Sequence, residues 1–292
     1  MKTGDVLGLL KKAFQEWKSG DSAVLGAALA YYTVFSLAPL LLIALSIAGL
    51  VFGEEAARDQ ISGQIKGLIG ANAAEGVEAM IQGASAKRGG VITAIIGVFA
   101  LLLGASGVFG QLQSAMNKIW EIDRPKQGGF LKLLKDRFLS VTMVMGTCFL
   151  LLVSLLISAG INAVTGQFGA AEEARSIVLH IFDFLVSLAV LTVMFAALFK
   201  YLPDTKISWR DCWLGAIFTA LLFTIGKVLI GLYIGQSAIA TSYGAAGSVL
   251  VILLWVYYSA QILFFGAELT KAYSEASGSR KVGVTELSGF AK

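Results

Sequence analysis

The chain has 292 residues, of which 57% are hydrophobic and only 14% charged, with a net charge of +4. A water-soluble domain carries about 25% charged residues, so a chain this apolar, with a mean hydropathy of +0.77, cannot cover its surface against water. A typical cytosolic enzyme, a disordered chain and a nucleic-acid-binding arm are excluded, and a polytopic membrane protein is indicated.

The first predicted element covers about 4–19. Val6, Leu9, Leu10, Ala13, Phe14 and Trp17 recur at three- and four-residue spacing, with Lys11, Lys12 and Lys18 off that stripe. This is an amphipathic helix suited to an anionic leaflet surface. A bilayer core takes roughly 20 apolar helical residues, and six stretches qualify, near 23–52, 91–119, 138–163, 176–201, 212–235 and 245–273. The first is too long for a signal peptide and is read as a retained span. Pro39 lies within it and predicts a helix kink, with Ser36 or Thr33 answering the freed carbonyls. The outer loop 53–90 carries two short apolar stripes, Ile61, Ile65, Leu68 and Ile69, then Val77, Met80 and Ile81, and is predicted to form a pair of interfacial helices. A mixed basic and apolar elbow, Phe130 to Phe138, precedes the third span. Gly97, Gly104, Gly107 and Gly110 in the second span, and Gly231 with Gly235 in the fifth, favour close helix packing. Residues 274–292 form a tail, and 1–292 reads as a single membrane domain.

Lys and Arg set the topology. Seventeen of the 23 fall in the N-terminal stretch, the second and fourth connections and the tail, and five on the opposite side, with Lys227 inside a span. Both termini are therefore expected on the cytoplasmic side. Trp17, Trp120, Trp209 and Trp213 fall at the expected inner ends, where indoles sit among headgroups.

Ionisable residues at membrane depth are costly unless paired or wet. Asp183 in the fourth span and Lys227 in the fifth lie at equal depth on consecutive helices, with His180 one turn from Asp183. They are candidates for a substrate or proton site, or for an ion pair that fixes helix register. Glu268, Gln113, Asn117 and Gln261 are expected to form a second polar cluster near the inner leaflet, either a path mouth or interhelical hydrogen bonding. No catalytic residue is assigned. Hydrolysis of nucleic acid would need clustered carboxylates or a histidine-based acid and base, and His180 is the sole histidine, within a span. Phosphate-loop and dinucleotide fingerprints are absent. Cys148 and Cys212 both lie in apolar runs, which excludes a disulfide scaffold and a zinc ribbon. No metal and no cofactor are expected.

Three stretches carry a family likeness. They are Ala30-Tyr31-Tyr32-Thr33-Val34-Phe35-Ser36-Leu37-Ala38-Pro39, then Phe109-Gly110-Gln111-Leu112-Gln113-Ser114-Ala115-Met116-Asn117-Lys118-Ile119-Trp120, and Tyr243-Gly244-Ala245-Ala246-Gly247-Ser248 leading to Trp255-Val256-Tyr257-Tyr258-Ser259-Ala260-Gln261 and Phe265-Gly266-Ala267-Glu268. The chain resembles the YihY/BrkB family of bacterial inner-membrane proteins over nearly its whole length. The resemblance implies six spans in this order and a multi-pass protein of the bacterial inner membrane. Members have been labelled ribonuclease BN, a label to which these residues lend no chemistry; some relatives have been tied to moving lipid-like envelope precursors. The expected function is a transporter or flippase-like protein for a lipid-like or anionic amphipathic solute. The alternatives are a non-transporting envelope or scaffold factor and, least, a ribonuclease. Expected partners are membrane lipids, anionic ones among them, and the solute itself, with self-association left open and no nucleic acid.

Overall fold

A computed structural model of the chain describes residues 3–53, 107–122, 172–236 and 245–276, with Glu55, Arg58, Asp59, Ser62, Gly63 and Glu78 besides. For 3–5, most of 37–52, 172–180, 182–183, 235–236, 245–246 and 248 the helical backbone alone is described. Among the described residues every regular element is a helix. In chain order they are α1 (Thr3–Ser19), α2 (Ser22–Phe52), α3 (107–119), α4 (Glu172–Tyr201), α5 (Trp209–Gln236) and α6 (Ala245–Ala276). The expected third span at 138–163, the elbow at 130–138, most of 53–106 and the tail from 277 lie outside the described residues.

Among the described residues three helical stretches are long and apolar enough to cross a membrane, Phe184–Tyr201, Trp209–Ile234 and Val249–Ala276. α2 has 31 residues, about 46 Å at 1.5 Å per residue. It stops at Gly53, whose φ of 87° and ψ of 153° belong to a region that only glycine enters freely. Within α2, Ser36 Oγ donates to Thr33 O at 3.0 Å and Thr33 Oγ1 donates to Leu29 O at 2.8 Å. Both hydroxyls thus serve carbonyls other than that of Phe35, the one four residues before Pro39. Of the outer loop, Arg58 and Glu78 form an ion pair at 3.6 Å, which ties the start of 53–90 to its second half.

α6 is the central helix: it packs on α5, α2 and α1, while α4 packs on α5. Leu112, Ala115, Met116 and Ile119 of α3, Phe195, Ala196 and Phe199 of α4, Ala216 and Ala220 of α5 and Ala260, Phe264 and Ala267 of α6 form one apolar core. Ile181, Leu185, Ile217, Ile225, Val228, Leu229 and Leu232 point outwards. Such faces suit lipid rather than water. α1 meets α6 through a separate cluster in which Ala13, Leu269 and Ala272 are buried, with Leu9 and Leu10 alongside. The stripe read as lying on a leaflet is therefore largely spent on α6, and only Val6 and Phe14 of its residues are exposed.

Two expectations change. Trp120 is 2% exposed and sits in the core, not among headgroups; Trp209 and Trp213, at 43% and 40%, remain on the surface. The reason is local: α3 ends at 119, and the reversal that begins at Trp120 folds that indole inwards. Nor is Gly231 a packing site among the described residues, since a Cβ there would meet nothing within 4 Å. The close approaches are at Gly215 and Gly266, one on each side of the α5–α6 contact. Thr270 Oγ1 lies 1.8 Å from where a Gly215 Cβ would stand, and Thr219 Oγ1 lies 1.9 Å from that of Gly266. Each threonine meanwhile donates to the carbonyl four residues before it, Thr219 to Gly215 O and Thr270 to Gly266 O, both at 2.7 Å. Gly-x-x-x-Thr on each helix, pairing 215 with 270 and 219 with 266, gives an antiparallel crossing.

Candidate functional site

The polar residues gather at the end of the bundle where α1 joins α2 and where α3 and α6 terminate. The C-terminal end of α3 is the hub. The chain reverses there by a Schellman motif: Glu121 N–H donates to Lys118 O at 3.0 Å and Ile122 N–H to Asn117 O at 2.8 Å. The left-handed position falls on Glu121, with φ 52°. Glycine is the usual occupant, and a side chain there costs about 1 kcal/mol. Its presence is explained by what the carboxylate does.

Five bonds tie this hub to three other parts of the chain. Asn117, 2% exposed, donates from Nδ2 to Asp204 Oδ2 at 2.8 Å and accepts from the Asp204 N–H at 2.8 Å. Gln113 Nε2 adds a donation to Asp204 Oδ1 at 3.2 Å. Lys118 pairs with Asp21 in the turn between α1 and α2. Glu121 accepts from Lys271 Nζ on α6 at 2.6 Å. The loop between α4 and α5 is further held where Lys200 Nζ donates to Ile207 O.

Beside the hub, α1 and α6 face each other with charge. Lys271, only 5% exposed, lies 3.7 Å from Glu16 Oε2 as well as bonding Glu121. Lys12 bonds Glu275 at 2.7 Å and lies 3.6 Å from Glu16 Oε1. Glu268, one turn before Lys271 and 5% exposed, has a buried Oε2 with no hydrogen-bond partner among the described residues, and Glu16 Oε2 shares that condition. The hydrogen bond from Lys271, and then its charge, hold the Glu121 carboxyl below the usual carboxylate range. A carboxylate held low in the folded state stabilises it above the ordinary carboxylate range and ceases to do so as pH falls through the lowered value. The stability gap between the wild type and Glu121→Gln, measured by detergent-micelle unfolding, is therefore expected at neutral pH and should close on acidification. A gap independent of pH would contradict the pairing.

The sequence candidates thus separate into distinct places. Gln113 and Asn117 meet, but on Asp204. Gln261 Nε2 donates to Ser22 O at 3.0 Å and fixes α6 to the start of α2; its amide lies 2.3 Å from where a Cβ on Gly26 would stand. Glu268 belongs with Glu16, Lys271 and Glu121. Lys227 is half-buried in α5, 18 residues and about 27 Å beyond Trp209. The neighbouring Gly226 receives the Tyr258 ring, whose hydroxyl is 3.1 Å from the would-be Cβ. His180 and Asp183 lie on the helical backbone of α4; their side chains are outside the described residues, and so is that of Pro39. Residues that the sequence reading passed over are Glu16, Asp21, Glu121, Asp204 and Lys271. All lie in or beside turns or helix ends, where charge is ordinary, so hydropathy gave no signal for them.

A family model described as virulence factor BrkB matches residues 13–286. A UPF0761 membrane protein of Rhodospirillum centenum is 25% identical over 276 residues, covering 93% of this chain and 58% of that protein. A UPF0761 membrane protein of Pseudomonas aeruginosa is 28% identical over 248 residues, covering 83% and 57%. A Bacillus subtilis protein named putative ribonuclease-like protein YfkH is 26% identical over 268 residues, covering 90% and 94%. The chain thus spans little more than half the length of the UPF0761 relatives and nearly all of the Bacillus one. No solved structure matches it.

Proposed function

The chain belongs to the virulence factor BrkB family, a family with relatives named as membrane proteins, and from that membership we propose that it is a transporter or flippase-like protein for a lipid-like or anionic amphipathic solute. It acts in the bacterial inner membrane as a six-span protein with both termini cytoplasmic, the polar hub lying at the cytoplasmic end. The observation that carries the reading is Lys227, an ammonium group half-buried deep within an apolar membrane helix. Ionisable groups at such depth are expensive and typically serve a path or a cargo. Lys227 attracts the solute's negative charge, with Asp183 and His180 of α4 as its expected partners, and Glu268 marks the inner end of the path. Gln113, Asn117 and Gln261 hold the helices that frame it.

The interhelical bonds of Gln113, Asn117 and Gln261 favour a second reading, a static envelope scaffold. Among the described residues no group of acidic, histidine or cysteine side chains gathers as a metal-dependent nuclease would need, and the ribonuclease name belongs to the Bacillus relative. Mass spectrometry of lipids retained by the protein in native-lipid particles separates the two main readings. The transporter reading expects anionic lipid-like species enriched over the bulk membrane and lost in Lys227→Met. A profile equal to the bulk membrane in both proteins contradicts it in favour of the scaffold.

A further inference from the structure

We propose that Glu16 on α1 and Glu268 on α6 form a proton-binding site, one proton shared between the two carboxyl groups, and that release of this proton loosens α1 from α6. The inference rests on the joint itself and does not depend on the transport reading.

Glu268 is 5% exposed and its neighbours Ala267 and Leu269 are 0% and 5% exposed, so its carboxyl is removed from water. Glu16 reaches the same joint from α1: its Oε2 lies 3.7 Å from Nζ of Lys271, the residue one turn after Glu268. Each of the two groups has a buried Oε2 without a donor among the described residues. A carboxylate only accepts, so two facing carboxylates cannot bond; a carboxyl that keeps its proton donates to the other. One proton therefore answers both orphaned oxygens.

The cations nearby do not replace it. From α6, Lys271 gives its hydrogen bond to Glu121 at 2.6 Å and stays 3.7 Å from Glu16. From α1, Lys12 gives its hydrogen bond to Glu275 at 2.7 Å and stays 3.6 Å from Glu16. The groups facing the pair are thus Lys12, Lys271, Glu121 and Glu275, two ammonium groups against four carboxyls once Glu16 and Glu268 are included. Both ammonium groups give their hydrogen bonds to the outer carboxylates and reach Glu16 only at ion-pair distance, so neither supplies the missing donor to Glu268. When the proton leaves to water, two anions face each other across the α1–α6 contact. Repulsion at that spacing in a poorly hydrated place acts to separate the helices. Among the described helices α1 packs substantially on α6 alone, through Ala13 against Leu269 and Ala272, with Leu9, Leu10 and Phe265 beside them and Trp17 edge-on to Phe265, so α1 is the element that yields.

The test is amide hydrogen exchange of α1 in the full chain, held in lipid nanodiscs and corrected for intrinsic rates, from pH about 6 to about 9. Protection of α1 is expected to fall across that range by about tenfold, which corresponds to one unit of proton linkage. In Glu268→Gln, whose amide keeps a donor for Glu16, protection should stay high and flat. Glu16→Gln lies on the half-exposed side of the joint and serves if Glu268→Gln does not fold; it too should be flat. Glu121→Gln should keep the wild-type dependence. Wild-type protection that does not change with pH, or a wild-type fall retained in Glu16→Gln or Glu268→Gln, overturns the proposal.

Discussion

Alanine at both Gly215 and Gly266 is expected to abolish the stable α5–α6 pair. A Cβ at 215 would stand 1.8 Å from Thr270 Oγ1, 2.9 Å from Thr270 Cβ and 3.4 Å from Gly266 O. A Cβ at 266 would stand 1.9 Å from Thr219 Oγ1 and 3.0 Å from Thr219 Cβ. A threonine Cβ is fixed to its helix backbone, so rotamer change cannot relieve these contacts and the helices must separate. Overpacking of this kind costs roughly 1–3 kcal/mol at each site. The two sites share the same crossing, so their effects should not simply add. Separation would also weaken the packing of the core residues Ala216, Ala220, Phe264 and Ala267. Each single alanine variant should lower the midpoint of unfolding in detergent micelles, and the double variant should fail to yield a monodisperse protein. Gly215→Ala combined with Thr270→Gly moves the missing Cβ to the other helix and should regain part of the loss. Wild-type midpoints in both single variants would refute this crossing.

Removing the buried cation of the polar joint should be the next most damaging change. Lys271→Met keeps the length and apolar stem of the side chain but leaves Glu16 and Glu268 facing an interior without the ammonium of Lys271. Breaking a buried pair from one side costs about 3–5 kcal/mol. The lower end applies, because the Glu121 side chain is 79% exposed and water will solvate it. Unfolding midpoints read the loss. The double variant Lys271→Met with Glu268→Gln removes a buried carboxyl together with the cation and should be more stable than Lys271→Met alone. A double variant as unstable as the sum of its parts would show that Lys271 acts through packing and not through charge.

These two places differ in how far the sequence disclosed them. Helix existence was legible throughout the described residues, because 20-residue apolar runs have little alternative in a membrane. α2 runs Ser22–Phe52 where the sequence suggested 23–52, and α6 runs Ala245–Ala276 where it suggested 245–273. α4 begins a turn earlier than expected, at Glu172, because the charged residues Glu172, Glu173 and Arg175 can extend a helix without leaving a hydropathy signal. The amphipathic stripe of α1 was plain, but periodicity states only that one face is apolar; whether lipid or α6 covers it is a tertiary fact. Of the glycines, spacing favoured Gly97, Gly104, Gly107 and Gly110 as well as Gly231 and Gly235; of these a Cβ at Gly107 would stand 2.9 Å from Tyr32 Cδ1, while at Gly110 and Gly231 it would meet nothing within 4 Å among the described residues. The crossing instead uses Gly215 and Gly266, each followed four residues later by threonine, a pattern whose meaning depends on which helix lies opposite. Glu268 was conspicuous as a carboxyl at a span end. Its neighbours Glu16 and Glu121 come from parts of the chain over 100 residues away, and no one-dimensional pattern joins them. Asp204 was invisible for the same reason: an aspartate in a Pro-Asp turn is ordinary until Asn117 and Gln113 are seen to bind it.

The central claim is that an anionic amphiphile crosses the membrane past Lys227. Its most direct test is a vesicle assay in which the purified chain is reconstituted with a fluorescent anionic phospholipid and the outward-facing label is quenched from outside. Transport predicts loss of the inner-leaflet signal faster than in protein-free vesicles, and a return to the protein-free rate in a folded Lys227→Met protein. An unchanged rate on adding the wild-type chain, or full activity in Lys227→Met, would contradict it.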